Sequence, residues 1–109
     1  MPSDQDLADS ILKRLMPLPV TTKRLFGMCG LYLDSQYFGF VSDGKLYFRT
    51  DKANRERYKS RGMPAFQPGD RPRGPTAVDR NFQVPPDVLE DDDLLKTWAS
   101  QAAAAAKND

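Results

Sequence analysis

The stretch from Lys23 to Thr50, KRLFGMCGLYLDSQYFGFVSDGKLYFRT, constrains the fold more than any other part of the chain. Short polar breaks cut its aromatic, aliphatic and glycine residues into runs of strand length, a pattern of antiparallel strands. Leu31 to Asp34 and Tyr37 to Ser42 read as a hairpin. A two-residue loop, at Asp34-Ser35 or at Ser35-Gln36, sets Leu31 and Leu33 on the same face as Phe38 and Phe40. The next turn contains Asp43-Gly44 and leads into the strand Lys45 to Arg49. A two-residue loop there would place Phe40 beside Tyr47 and Phe38 beside Arg49. A three-residue loop, Ser42-Asp43-Gly44 with Gly44 left-handed, places Phe40 beside Leu46 and Phe38 beside Phe48. The longer loop gathers the apolar groups and is the expectation. One face then carries Leu31, Leu33, Phe38, Phe40, Leu46 and Phe48. The other carries Tyr32, Tyr37, Gly39, Val41, Tyr47 and Arg49.

The flanking sequence supplies cover for one of these faces. Ser3 to Met16 predicts a helix, with Ser3 as its cap and Asp4 and Asp6 in its first turn. Its apolar stripe is Leu7, Ala8, Ile11, Leu12 and Leu15, and Pro17 and Pro19 end it. Val20 to Phe26 is β-prone, and Gly27 and Gly30 suggest a bulge or bend. Asp51 to Arg61 predicts a second helix, capped by Asp51 with Asn54 reaching back, closed by Gly62 and stopped by Pro64. Ala53 and Tyr58 are its packing groups. Ala65-Phe66-Gln67 predicts a short edge strand anchored by Phe66, followed by proline- and glycine-rich turns to Pro75. Thr76 to Val84 returns to strand, with Val78, Phe82 and Val84 directed inward, and Pro85-Pro86 ends it. The aspartates between Asp87 and Asp93 suit the start of a last helix, whose buried face is Leu95, Trp98, Ala102 and Ala105 or Ala106.

Composition removes whole classes of function. The 109-residue chain has no histidine, which excludes histidine-based acid–base catalysis, Ser-His and Cys-His nucleophilic sites and histidine metal sites. One cysteine excludes an intrachain disulfide and fits a reducing compartment. The acidic N-terminus is unlike a secretory signal and no apolar run approaches a membrane span, so the expectation is a cytoplasmic protein with no membrane contact. Cys29 has no imidazole to activate it and reads as an inert, partly buried thiol. The run Glu90 to Asp93 is a weak metal motif explained by helix capping. No cofactor, metal or catalytic residue is expected.

The charge distribution points instead to surfaces. Residues 1–44 have net charge −1, residues 45–80 net +6 and residues 81–109 net −4, around an overall +1. In the basic block Lys52, Arg55 and Lys59 share one helix face, and Arg57 and Arg61 share another. With Arg71 and Arg73, the first set could contact phosphates. The tyrosine face is amphipathic and able to bind a partner or a second copy of the chain. The candidate interaction surface is therefore Tyr32, Tyr37, Tyr47, Arg49, Lys52, Arg55 and Lys59. A lesser alternative is a small-molecule binder or minor enzyme using the Gly27–Gly30 bend.

Leu25-Phe26-Gly27-Met28-Cys29-Gly30-Leu31-Tyr32-Leu33-Asp34 resembles the strand-glycine signature of the TfoX/Sxy family N-terminal domain. The resemblance continues through Phe38 to Val41, Asp43 to Tyr47, Asp51 to Arg55, Gly62 with Pro64 and Phe66, Val84-Pro85 and the Trp98 helix. It departs at Met28-Cys29, where the family usually has glycine and an aromatic, and at Asp79-Arg80-Asn81-Phe82. It implies a single domain over 1–109 with a two-layer α+β fold. Helices would pack on an antiparallel sheet of about five to six strands, akin to secretion chaperones. It also implies a non-enzymatic bacterial regulatory module. Named relatives regulate natural competence together with a cyclic-AMP-responsive transcription factor and carry a C-terminal domain; a stand-alone N-terminal domain is the expectation here. The expected partners are a second copy of the chain and another protein, a transcription factor among the candidates, with nucleic acid as the alternative.

Overall fold

The computed structural model describes residues 4–25, 28–66 and 80–108. The elements in chain order are α1 (Asp4–Leu15), β1 (Val20–Leu25), β2 (Met28–Leu33), β3 (Gln36–Ser42), β4 (Lys45–Arg49), α2 (Arg55–Ser60), β5 (Asn81–Gln83), α3 (Pro86–Leu89) and α4 (Asp92–Asn108). The strands form one antiparallel sheet in the order β1-β2-β3-β4-β5. Helices cover one of its faces, giving the expected two-layer α+β architecture with five strands. No helix among the described residues is long and apolar enough to cross a membrane.

α1 forms where its stripe and its prolines place it. Ala8, Ile11 and Leu15 are buried, and Leu7 packs against them from the rim. Ser3 lies outside the described residues. Asp4 does more than favour a helix dipole. Its carboxylate accepts from the amides of Asp43 (3.1 Å) and Gly44 (2.8 Å), tying α1 to the β3–β4 turn. α4 lies chiefly across β3 and buries Leu95, Trp98, Ala99, Ala102 and Ala105. Asp91 is its cap, with Oδ1 accepting from the amides of Asp93 (3.0 Å) and Leu94 (3.1 Å). The alanines let the helix axis approach the sheet, because a methyl group sets a short packing distance. α3 is an element the sequence reading missed. Pro85-Pro86 ends the preceding strand as expected, and Pro86 also opens a short helix that buries Val88.

The sheet corrects the expected strand parity. The β2–β3 turn is Asp34-Ser35, with φ of 52° and 67°. The β3–β4 turn is the two-residue loop Asp43-Gly44, with φ of 52° and 74°, and Ser42 pairs with Lys45. The three-residue loop is therefore wrong, and Phe40 pairs with Tyr47. The apolar grouping survives because β3 carries a bulge. Leu31 pairs with Gly39 but Tyr32 pairs with Tyr37, leaving Phe38 as the surplus residue. Phe38 turns inward beside Phe48, with ring centroids 5.6 Å apart, and Val41 faces inward with it. The inner face is thus Cys29, Leu31, Phe38, Val41, Leu46 and Phe48, joined by Phe82. Phe40 and Val41 have exchanged the faces expected of them, and Gly39, expected on the tyrosine face, pairs with Leu31 and Phe48 on the inner one. Fully burying each large apolar side chain here contributes about 1.5–3 kcal/mol.

Candidate functional site

β2, β3 and β4 carry the tyrosines to the face that the helices leave uncovered. Tyr32 and Tyr37 are directly opposed across the β2–β3 ladder, and their rings meet edge to face at 5.8 Å. The Tyr32 ring also lies over Gly30, where an added Cβ would stand 3.3 Å from its Cε1. Burial pushes the Tyr37 phenol up to about 12, with the positive charge of Arg49 acting against that rise. Tyr32, Tyr37 and Arg49 are all half-buried and form the first part of the expected surface.

Tyr47 belongs to a second cluster. Its ring stacks on Phe40 at 5.1 Å, and Phe66 meets both rings edge-on, at 4.8 Å from Phe40 and 5.2 Å from Tyr47. Phe66 reaches this face because its segment pairs with β5. The Phe66 amide donates to Asn81 O (2.9 Å), the Gln83 amide donates to Pro64 O (3.0 Å), and Ala65 bridges to Phe82. Phe66 therefore anchors its segment as expected, while Gln67 lies outside the described residues. Tyr47 is only 8% exposed, so it stiffens the face more than it offers surface. Phe40 and Phe66 are members of this face beyond the expected set. The Asp43-Gly44 pair, taken as a two-residue hairpin signal, would have moved Phe40 to it.

α2 stands in the other layer. Tyr58 is buried and contacts Trp98 and Phe82, with ring centroids at 4.9 and 5.9 Å. Ala53, expected to pack, is exposed. The expected C-terminal end is present, but the expected cap is not: Asn54 stands at the N-cap with no side-chain cap bond, and the Asp51–Asn54 exchange closes the turn ahead of the helix. Asp51 and Asn54 exchange hydrogen bonds, the Asp51 amide to Asn54 Oδ1 (2.9 Å) and the Asn54 amide to Asp51 Oδ1 (2.8 Å). Gly62, at φ +72°, donates to Lys59 O (2.9 Å), and Met63 donates to Tyr58 O (3.0 Å). The helix itself starts later than expected, at Arg55.

Its cations are unequally available. The guanidinium groups of Arg57 and Arg61 lie 4.9 and 5.0 Å from the Trp98 ring. Arg57 also donates to Gln101, and Arg61 is paired with Asp87 at 3.3 Å. Arg55 donates from Nε to Thr50 Oγ1 (3.2 Å), while Lys52 and Lys59 are exposed. The expected tyrosine and lysine sets thus lie in different layers. Arg71 and Arg73 lie outside the described residues.

Little here resembles a reaction centre. Cys29 is buried on the inner face, with Sγ 3.7 Å from Gln5 Oε1. Gly27 lies outside the described residues. A hollow of about 400 Å³ lies between the β2–β3 turn and Ala103, Ala104 and Lys107 of α4. Another of about 350 Å³ is bounded by Asp51, Asn54, Arg57 and Gln101. Neither lining brings a nucleophile to a base. Among the described residues no group of three or more carboxylates or thiols is placed to hold a metal ion.

The family model for the TfoX N-terminal domain matches residues 11–106. No curated protein matches the chain. The chain belongs to the TfoX N-terminal domain family.

Proposed function

We propose that this member of the TfoX N-terminal domain family is a non-enzymatic bacterial regulatory module of the cytoplasm. It acts by binding another protein through the helix-free face of its sheet. The observation that carries this reading is the opposed Tyr32–Tyr37 pair beside Arg49, half-buried on that face. Tyrosine and arginine are enriched at protein interfaces because they bring contact area and a polar end at low entropic cost. The resemblance to competence regulators makes a transcription factor the first candidate partner, and a second copy of the chain would use the same surface.

Contact with nucleic acid through α2 is the second reading. Exposure of Lys52 and Lys59 favours it, and the engagement of Arg57 and Arg61 by Trp98 weakens it. Affinity capture from the native host separates the two. The wild type should retain a protein partner that a Tyr32→Ala/Tyr37→Ala variant loses. Equal recovery by both proteins refutes the tyrosine surface. Salt-dependent binding of DNA or RNA that disappears on charge reversal at Lys52 and Lys59 would establish the alternative.

A further inference from the structure

We infer that the open edge of β1 accepts an extended segment of a partner protein, added as a further strand, with two successive acidic residues opposite Lys23 and Arg24. The inference rests on the reading that the module works by protein contact, and it names the edge used and the chemistry recognised. Among the described residues β1 is paired on one side only, with β2, over Val20 to Leu25. The Asp34 amide donates to Pro19 O at 3.2 Å, one step before the Val20–Leu33 pair. Antiparallel ladders alternate, so the backbone groups of Thr21 and Lys23 point to β2 and those of Thr22 and Arg24 point to the open side. The Val20 amide is satisfied locally by Leu18 O at 2.8 Å. Thr22 and Arg24 therefore offer an amide and a carbonyl each, the pattern that strand addition uses.

Side chains set the preference of this edge. Lys23 pairs with Gly30, on the tyrosine face, and Arg24 pairs with Cys29, on the opposite face. Both are exposed, and neither has an ion pair among the described residues. Beside the edge, on the tyrosine side, a groove of about 280 Å³ is lined by Thr21, Thr22, Lys23, Tyr32 and Ser35. It has room for a side chain of the added strand. Directly opposed residues place their Cβ atoms about 4.5–5.5 Å apart, so consecutive acids on that strand reach Lys23 on one face and Arg24 on the other. A second copy of this chain fits less well. It would bring its own Lys23 and Arg24 to the same short edge, and its acidic run near Asp91 is bound up in the start of α4. Edge lysines commonly guard against such self-pairing.

The test uses the full chain and two labelled, capped ten-residue peptides that alternate threonine and valine. One has a central Glu-Asp pair and the other a central Lys-Lys pair. The acidic peptide should bind, seen by fluorescence anisotropy, and should slow exchange of the Thr22 and Arg24 amides. The basic peptide should bind at least about tenfold more weakly. Thr22→Pro removes an outward amide, and Lys23→Glu/Arg24→Glu reverses two exposed charges; each should weaken the acidic peptide by about tenfold. Equal binding of both peptides, or binding without protection of those amides, overturns the proposal. So does a dimer of the free protein that Thr22→Pro dissociates and the acidic peptide does not. If a native partner is captured equally by wild type and by both variants, the edge is excluded while the broader reading stands. If no protein partner is captured at all, the broader reading falls first.

Discussion

Replacing Gly39 with alanine should destabilise the domain by about 2 kcal/mol, a consequence of how closely β3 and β4 approach at the bulge. A Cβ at this position would stand 2.4 Å from Tyr47 O and 3.0 Å from Phe48 Cδ1. An ordinary carbon–oxygen approach is about 3.3 Å or more, so roughly 0.9 Å of movement is needed. The obstructing oxygen belongs to the backbone of β4, which is held by β3 on one side and β5 on the other. It cannot rotate away as a side-chain tip could. Overpacking of this kind costs about 1–3 kcal/mol, and alanine recovers some 0.5–1 kcal/mol of backbone entropy relative to glycine. The backbone clash puts the cost at the upper end, hence the net figure. Gly30→Ala is the matched control, because its nearest neighbours are Tyr32 Cε1 at 3.3 Å and Lys23 O at 3.4 Å. The Tyr32 ring is only half-buried and can shift, so this change should stay within about 0.5 kcal/mol of wild type. Urea unfolding followed by fluorescence of Trp98, the single tryptophan, reads both. In thermal melts the Gly39 variant should lose about 8–16 °C. Equal stability of the two variants would refute the close approach and, with it, the register of β3 on β4.

The aromatic groups give the remaining outcomes. Tyr58→Ala should cost about 3–5 kcal/mol by removing the ring between Trp98 and Phe82, and Tyr58→Phe less than about 1 kcal/mol, both measured in the same urea assay. Tyrosinate absorbance should show Tyr37 ionising near pH 12, with the Tyr58 phenol pushed higher still by burial. Both folded values lie above the ordinary value of 10.0, so their stabilising effect is complete below pH 10. For Tyr37 that contribution is lost as the pH rises from 10 towards 12, so stability should fall across that window. Arg49→Gln should raise the Tyr37 midpoint further, and a midpoint that does not move would refute the influence of Arg49.

Much of this fold can be read from local signals. The stripe of α1, the prolines after it, the Asp51–Asn54 exchange, Gly62 and the buried face of α4 all depend on neighbours a few residues apart. Strand parity in β3 is different. It is decided by a surplus residue at Phe38, signalled only by the mid-strand Gly39 beside it, which does not by itself say which face the following residues take, and by pairing with two other strands at once. That is why Phe40 and Val41 exchanged faces. α3 has a legible sign, Pro86 at a helix start, but a proline pair after a strand is equally the sign of that strand's end. At the candidate surface, alternation was enough to bring Tyr32 and Tyr37 to one face. Enclosure of Tyr47 by Phe66 was not legible, nor was capture of Arg57 and Arg61 by Trp98, since each joins residues distant in sequence.

The bulge and the glycine beside it amount to one device. Gly39 occupies a position that faces the core opposite Phe48 yet has no room for a side chain. Phe38, the residue that the ladder skips, supplies the ring there instead. One residue provides backbone and its neighbour provides bulk, so two positions do the work of one. Deleting Phe38 would leave every remaining pair of β3 in place and simply empty part of the core. Filling Gly39 would crowd the ring already present. A lineage can therefore change this part of the sheet only by changing both residues together, and the pair should be inherited, gained or lost as a unit.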